Sequence, residues 1–257
     1  MQTKNNVFQT VLFLVILLPG IYVRPARAQD MPAVPANHLV RPESPYTITF
    51  SWQGDSVHAQ WEPYAALLLP VELPDCPQQF YMQFDLGAPY SMFYRDKIEK
   101  LRRAYPGALA PVDTGDVIRQ YTFRVGEMPV MAREIAVKPF GGPVEDEGGM
   151  QVIGTIGADL IEGSVTVIDY PRKEIFIGPD LPAGLEVRGF VSDLVLAGRR
   201  VLLPAVIQHK KTMLFFDTGS SAFELLTDKQ TFDALASPGA VPTQYEVRSW
   251  DRALTGH

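Results

Sequence analysis

Two aspartates stand out by the residues around them. In MLFFDTGSSAFELL (Met213–Leu226), four apolar residues lead into Asp217, and a short polar turn, Thr218-Gly219-Ser220-Ser221, follows before the chain becomes apolar again. An ionised carboxylate at the end of a buried strand is costly unless another group pairs with it or shares its proton. The same pattern occurs once more, in FYMQFDLGAPYSMFY (Phe80–Tyr94), where Asp85 ends an apolar alternation and Leu86-Gly87-Ala88 follows. Two such carboxyls placed together would hold one proton between them and titrate as a unit, supplying an acid and a base at one site.

The likeness extends outward from the two aspartates. ALLLPVELPDCPQQFYMQFDLGAPYSMFYRDK (Ala66–Lys97) parallels RVLLPAVIQHKKTMLFFDTGSSAFELLTDK (Arg200–Lys229). Leu-Leu-Pro opens each half, at 68–70 and 202–204, and Asp-Lys lies eleven residues after each aspartate, at 96–97 and 228–229. A spacing of 132 residues between Asp85 and Asp217 is too long for a solenoid repeat and suits a duplicated lobe.

The elements that must carry these turns read as β-rich. YTITFSW and VHAQWE flank Gln53–Ser56 as one hairpin, and SVTVIDY and EIFIG flank Pro171–Lys173 as another. Helical signals are few. Met92–Tyr105 ends before Pro106, and Thr227–Ala236 opens on Thr227-x-x-Gln230, a capping box. Pro139–Met150, with paired glycines around three acids, reads as an exposed loop, and Gly178–Gly184 reads as the connection between lobes.

The 257 residues, 46% of them hydrophobic, suffice for one large core or two smaller ones, and 22 prolines with 20 glycines suit a turn-rich β protein. Residues 1–28 read as a cleaved signal peptide rather than an uncleaved anchor: Lys4, the apolar run Val11–Leu18, then Ala26-Arg27-Ala28, with cleavage near Ala28-Gln29. A linker at 29–45 follows. The mature chain carries 20 basic against 29 acidic side chains, a net charge of −9, which favours neither nucleic acid nor an anionic membrane as partner. Cys76 is the single cysteine, so no disulfide forms within the chain. A bacterial periplasmic or secreted protein with no integral membrane span after cleavage fits these features.

Other candidates carry less. Asp113-Thr114-Gly115 has no apolar strand leading into it and reads as a surface turn. His38, His58, His209 and His257 are scattered without ligand spacing, so neither a metal nor another cofactor is expected. Ser56 is not in a nucleophile elbow, and Cys76 reads as a structural residue in a turn. VIGTIGADL lacks the dinucleotide fingerprint and its βαβ context.

The residues FFDTGSS resemble the active-site motif of the aspartic peptidase superfamily, pepsin-like and retropepsin-like. GTIGADLIEGSVTVIDY (Gly154–Tyr170) is similar to that family's hydrophobic-Gly element, here Ile156-Gly157. The resemblance implies an all-β, bilobal fold of double-ψ β-barrel lobes with few short helices. The first lobe would span 46–180, and the second would begin at 190 and continue through 257. It implies catalytic Asp85 and Asp217, supported by loop residues Gly87, Thr218, Gly219, Ser220 and Gly157. It also implies hydrolysis of a peptide or unfolded polypeptide by an activated water. Gly157 is a packing glycine on any reading. Leu86 departs from the family, which places threonine there to hydrogen-bond across to the opposing loop, so half of that grip is expected to be missing. The alternative reading is therefore an inactive protein of the same fold that binds a peptide or an envelope partner. Adding the period to Gly157 places its counterpart near 289 and the end of the second lobe at about 310, so a longer chain is expected.

Overall fold

The computed structural model describes residues 36–57, 59–140, 149–185, 192–237, 239, 245–249 and 252–256. The expected signal peptide and the acidic stretch Glu145–Glu147 lie outside the described residues. The described chain is all-β, with short helices. Its strands in chain order are β1 (Leu39–Val40), β2 (Tyr46–Thr49), β3 (Ser51–Val57), β4 (Gln60–Glu72), β5 (Phe80–Phe84) and β6 (Met92–Tyr94). Next come helix α1 (Arg95–Ala104), β7 (Val117–Val125), β8 (Met128–Lys138), β9 (Val152–Ile156), β10 (Val165–Asp169) and β11 (Glu174–Gly178). The remainder is β12 (Val195–Ala197), β13 (Arg200–Ile207), β14 (Lys210–Phe216), α2 (Lys229–Leu235), β15 (Tyr245–Ser249) and β16 (Arg252–Gly256).

Consecutive apolar residues in a strand need cover on both faces, and Leu67-Leu68-Leu69 in β4 set the centre of the main sheet. All three are buried. β5 alternates instead, turning Phe80, Met82 and Phe84 inward. Around these strands the pairings close on themselves, from β4 through β7, β8, β6, β9 and β5 back to β4. β1, within the segment expected as a linker, adds to the edge through Leu39 opposite Ala132. A second sheet has the order β10-β11-β2, a third β12-β13-β14, and β15 pairs with β16.

The repeat seen in the sequence is matched pair for pair. Leu68 lies opposite Gln83 and Pro70 opposite Tyr81 in the first half. Leu202 lies opposite Phe215 and Pro204 opposite Met213 in the second. The two extra residues of the first half fall in the β4–β5 connection, which holds the half-buried Cys76. The second half closes instead with a two-residue turn, Gln208-His209.

Several local expectations shift. The hairpin at 165–178 forms as read, with Asp169 opposite Glu174. The first hairpin does not turn at Gln53–Ser56: β3 runs through these residues with a bulge between Gln53 and Asp55, and it turns after Val57. Gly54 lies under the Trp61 ring, which a Cβ there would meet at 2.3 Å. Met92–Tyr94 is strand rather than helix, because β8 pairs it on one side and β9 on the other. The helix begins at Arg95, buries Ile98 and Leu101, and places Asp96 in its first turn and Arg102 and Arg103 in its last, matching its dipole. In α2 the cap is Asp228, whose carboxylate accepts from the Thr231 N–H at 2.9 Å, rather than Thr227. One period after Phe93 and Tyr94, Leu225 and Leu226 are exposed and in no strand. Among the described residues nothing corresponds to the β8 and β9 pairings that extend the first copy.

Gly154 of β9 leaves no room for a side chain: a Cβ there would lie 2.3 Å from the Met92 carbonyl oxygen. Backbone there cannot give way as a side chain would. Gly154→Ala is expected to lower stability by about 2–3 kcal/mol, the upper range for overpacking, read by urea unfolding.

Candidate functional site

Each aspartate reaches the site at the end of a strand. Asp85 follows β5, and its N–H donates to the Ile156 carbonyl at 3.0 Å, continuing the parallel β5–β9 pairing by one residue. Asp217 follows β14 and caps a single 3-10 turn, Thr218–Ser220. Each carboxylate then folds back on its own loop. Asp85 Oδ1 accepts from the Gly87 N–H at 2.8 Å and the Ala88 N–H at 3.1 Å. Asp217 Oδ1 accepts from the Gly219 N–H at 2.8 Å, and its Oδ2 accepts from the Ser220 hydroxyl at 3.1 Å.

The two loops meet face to face. The glycines are needed here for space. A Cβ on Gly219 would lie 2.3 Å from Asp85 Cγ, and one on Gly87 would lie 2.6 Å from Asp217 Oδ1. Each carboxyl group thus rests on the opposite loop's glycine, and the two carboxyls are within hydrogen-bonding reach of each other. Asp85 is 7% exposed, while Asp217 is half-buried. Burial, then the charge of Asp217, then the hydrogen bond between them push the Asp85 carboxyl up to about 7, against the opposing pull of the Gly87 and Ala88 amides. Asp85 therefore holds its proton under conditions in which an ordinary carboxyl has lost it.

The expected weakness at Leu86 takes a particular form. At this position of the repeat the grip is one-sided, from Thr218: its hydroxyl donates to the Phe84 carbonyl at 2.8 Å and accepts from the Leu86 N–H at 3.0 Å. Only the Leu86 backbone takes part; its side chain is buried in the hydrophobic core. Other bonds cross between the halves as well, among them those from Gln83 Nε2 to the Gly219 carbonyl at 3.1 Å and from the Ser221 hydroxyl to the Ala65 carbonyl at 2.9 Å.

A second buried network lies behind the Asp85 loop. Asp159 accepts from the Ser91 N–H at 2.8 Å and the Ser91 hydroxyl at 2.7 Å, and that hydroxyl accepts in turn from the Gly157 N–H at 3.0 Å. Burial pushes Asp159 up, opposed by these Ser91 bonds and by the charge of Arg199. Gly157 packs as expected, with a Cβ there 2.6 Å from the Tyr90 carbonyl carbon and 2.8 Å from the Ala88 oxygen. Tyr94 and Thr155 share a 2.6 Å hydroxyl contact, and burial, with a smaller contribution from the Asp85 charge, pushes the Tyr94 phenol up.

Asp85, Asp217, Gly87, Thr218, Gly219, Ser220 and Gly157 thus fall in one region. Ser91, Asp159 and Arg199 were not foreseen. Asp113 lies in an exposed turn, accepting from Gly115 N–H at 2.8 Å and Arg119 Nε at 2.7 Å. Among the described residues no three His, Cys, Asp or Glu side chains converge as metal ligands would.

Two predictions follow from this geometry. Thr218→Val leaves the Phe84 carbonyl and Leu86 N–H buried and unpaired, and is expected to cost about 2–4 kcal/mol in urea unfolding, whereas Thr218→Ser keeps most of the stability. Between pH of about 3.8 and about 7, folded Asp85 keeps a proton that the unfolded chain has released, so stability falls as pH rises through this window. Asp85→Asn is expected to flatten that fall; parallel pH curves for the two proteins would contradict it. No family model matches the chain, and no curated protein matches it in sequence, so the functional reading rests on the geometry of the Asp85–Asp217 pair.

Proposed function

We propose that the protein is an exported aspartic-peptidase-like hydrolase acting on a peptide or unfolded polypeptide. On this reading it has two lobes of double-ψ β-barrel type, the first at 46–180 and the second starting at 190. The segment 1–28 would direct it to the periplasm or outside the cell. The observation that carries the reading is the mutual approach of Asp85 and Asp217, each lodged on the other loop's glycine. The closed ring of strand pairings and the matching registers of the two hairpins support the lobe assignment.

In the proposed reaction Asp85 begins protonated and Asp217 ionised. The Asp217 carboxylate takes a proton from a water as its oxygen bonds to the peptide carbonyl carbon, and Asp85 gives its proton to the carbonyl oxygen. The tetrahedral diol then collapses. Asp217 returns its proton to the amide nitrogen as the C–N bond breaks, and Asp85 recovers one from a diol hydroxyl. Peptide and water are consumed, carboxyl and amine products are formed, and both aspartates return to their starting states.

The alternative, an inactive binder of a peptide or envelope partner, is favoured by the loss of the Leu86 side chain to the core. Incubation of the purified full chain with a denatured polypeptide separates the two readings. Cleavage is expected at acidic pH, falling as pH rises through about 7 where Asp85 loses its proton. Asp217→Asn is expected to lower kcat/KM by at least about 100-fold. Cleavage unaffected by that substitution overturns the peptidase reading, and saturable binding without cleavage at any pH selects the binder.

A further inference from the structure

Arg199 is in an unusual position for an arginine. It sits in the two-residue turn between β12 and β13, where Ala197 pairs with Arg200, and both turn residues have positive φ: Gly198 at +61° and Arg199 at +63°. Such turns favour glycine, asparagine or aspartate, and a long L side chain is strained there. Its guanidinium is nevertheless among the most buried charged groups described, with the side chain 5% exposed. It does not point back along its own hairpin. Nη1 donates to the Pro89 carbonyl at 3.2 Å, on the loop that carries Asp85, and Nη2 donates to Glu162 at 3.0 Å, in the turn after β9. Asn37 holds the same Glu162 oxygen at 2.8 Å. Burial pushes Glu162 up, but the bonds from Arg199 and Asn37 outweigh it and leave the carboxyl below its ordinary range.

The repeat gives these contacts a meaning. Subtracting the offset of the strand pair, Arg199 corresponds to Ala65; subtracting the period of the aspartates, Ser221 corresponds to Pro89. The Ser221–Ala65 bond on one side therefore has Arg199–Pro89 as its counterpart on the other. The two sides differ at the anchor itself. Thr218 pins the Asp217 loop to Phe84 and Leu86, whereas Leu86 has no hydroxyl with which to return the contact.

We propose that Arg199 is a positioning residue that holds the Asp85 loop against the second copy of the repeat, supplying the anchorage that Leu86 does not. It touches neither aspartate and acts through Pro89 and the Glu162–Asp159 turn. The inference rests on Asp85 and Asp217 acting as a pair, but its test does not need catalysis.

The test follows the carboxyl carbon of Asp85 by carbon-13 NMR across a pH titration of the full chain, in wild type, Arg199→Ala and Arg199→Lys. The groups facing the two sites are Asp159 and Glu162 around Arg199, and Asp217 and Tyr94 around Asp85. The sign separates the roles. Loss of a cation alone would raise the Asp85 midpoint, whereas slackening of the loop would remove the Asp217 charge and burial and lower it. Arg199→Ala is expected to lower the midpoint by about one pH unit, a tenfold change, with Arg199→Lys between it and wild type. An unchanged or raised midpoint in folded Arg199→Ala overturns the clamp; should that variant not fold, an unchanged midpoint in Arg199→Lys does the same. A wild-type midpoint near 7 without peptide cleavage would remove the peptidase reading and leave the clamp standing.

Discussion

Two carboxyl groups can approach within hydrogen-bonding reach in a protein interior only when a proton lies between them and the backbone around them leaves room. Both conditions are met by one device used twice. Gly87 gives up the space that the Asp217 carboxyl occupies, and Gly219 gives up the space for Asp85. A single methyl at either glycine would strike the opposite acid. The Asp-x-Gly spacing is therefore a steric requirement of the pair, and the rest of the chain holds two strand ends at the distance this contact demands.

The holding is unequal on the two sides. The Asp85 strand is embedded in the main sheet, flanked by β4 and β9, with Phe84 and Leu86 in the core. The Asp217 strand belongs to a smaller sheet whose residues are half-buried or exposed, and Met213 and Phe215 show apolar surface. Cross-links between the halves therefore set how the less embedded Asp217 side meets the Asp85 loop. Thr218, Ser221 and Arg199 all run from the second half to backbone carbonyls of the first. Leu86 fits the same division: its position contributes packing to the better-formed side, and polar anchorage comes from the other.

Much of this was legible in the sequence because it is written in short-range pattern. The repeat, the paired aspartates and the hairpin about Pro171–Lys173 each depend on residues close together in the chain, and even the strand register follows the Leu-Leu-Pro alignment. Illegible features were those imposed from a distance. Met92–Tyr94 is extended only because β8 and β9 grip it, and nothing in its own residues forbids helix. β3 continues through a bulge at Gly54, where the Trp61 ring of the facing strand lies over that glycine. Asp159 and Ser91 are 68 residues apart, and Arg199 and Pro89 are 110 apart, so neither contact leaves a local trace. One signal was available: an arginine in a two-residue turn between apolar strands, where a smaller residue would be less strained.

The central claim is that Asp85 and Asp217 jointly hold one hydrogen ion. Neutron diffraction from deuterated crystals at about pH 5.5, where a shared proton would be retained, reads this most directly. The account predicts a single deuteron between the two carboxyl groups, bonded to Asp85. Two bare carboxylates, or side chains too far apart to share a deuteron, would contradict it.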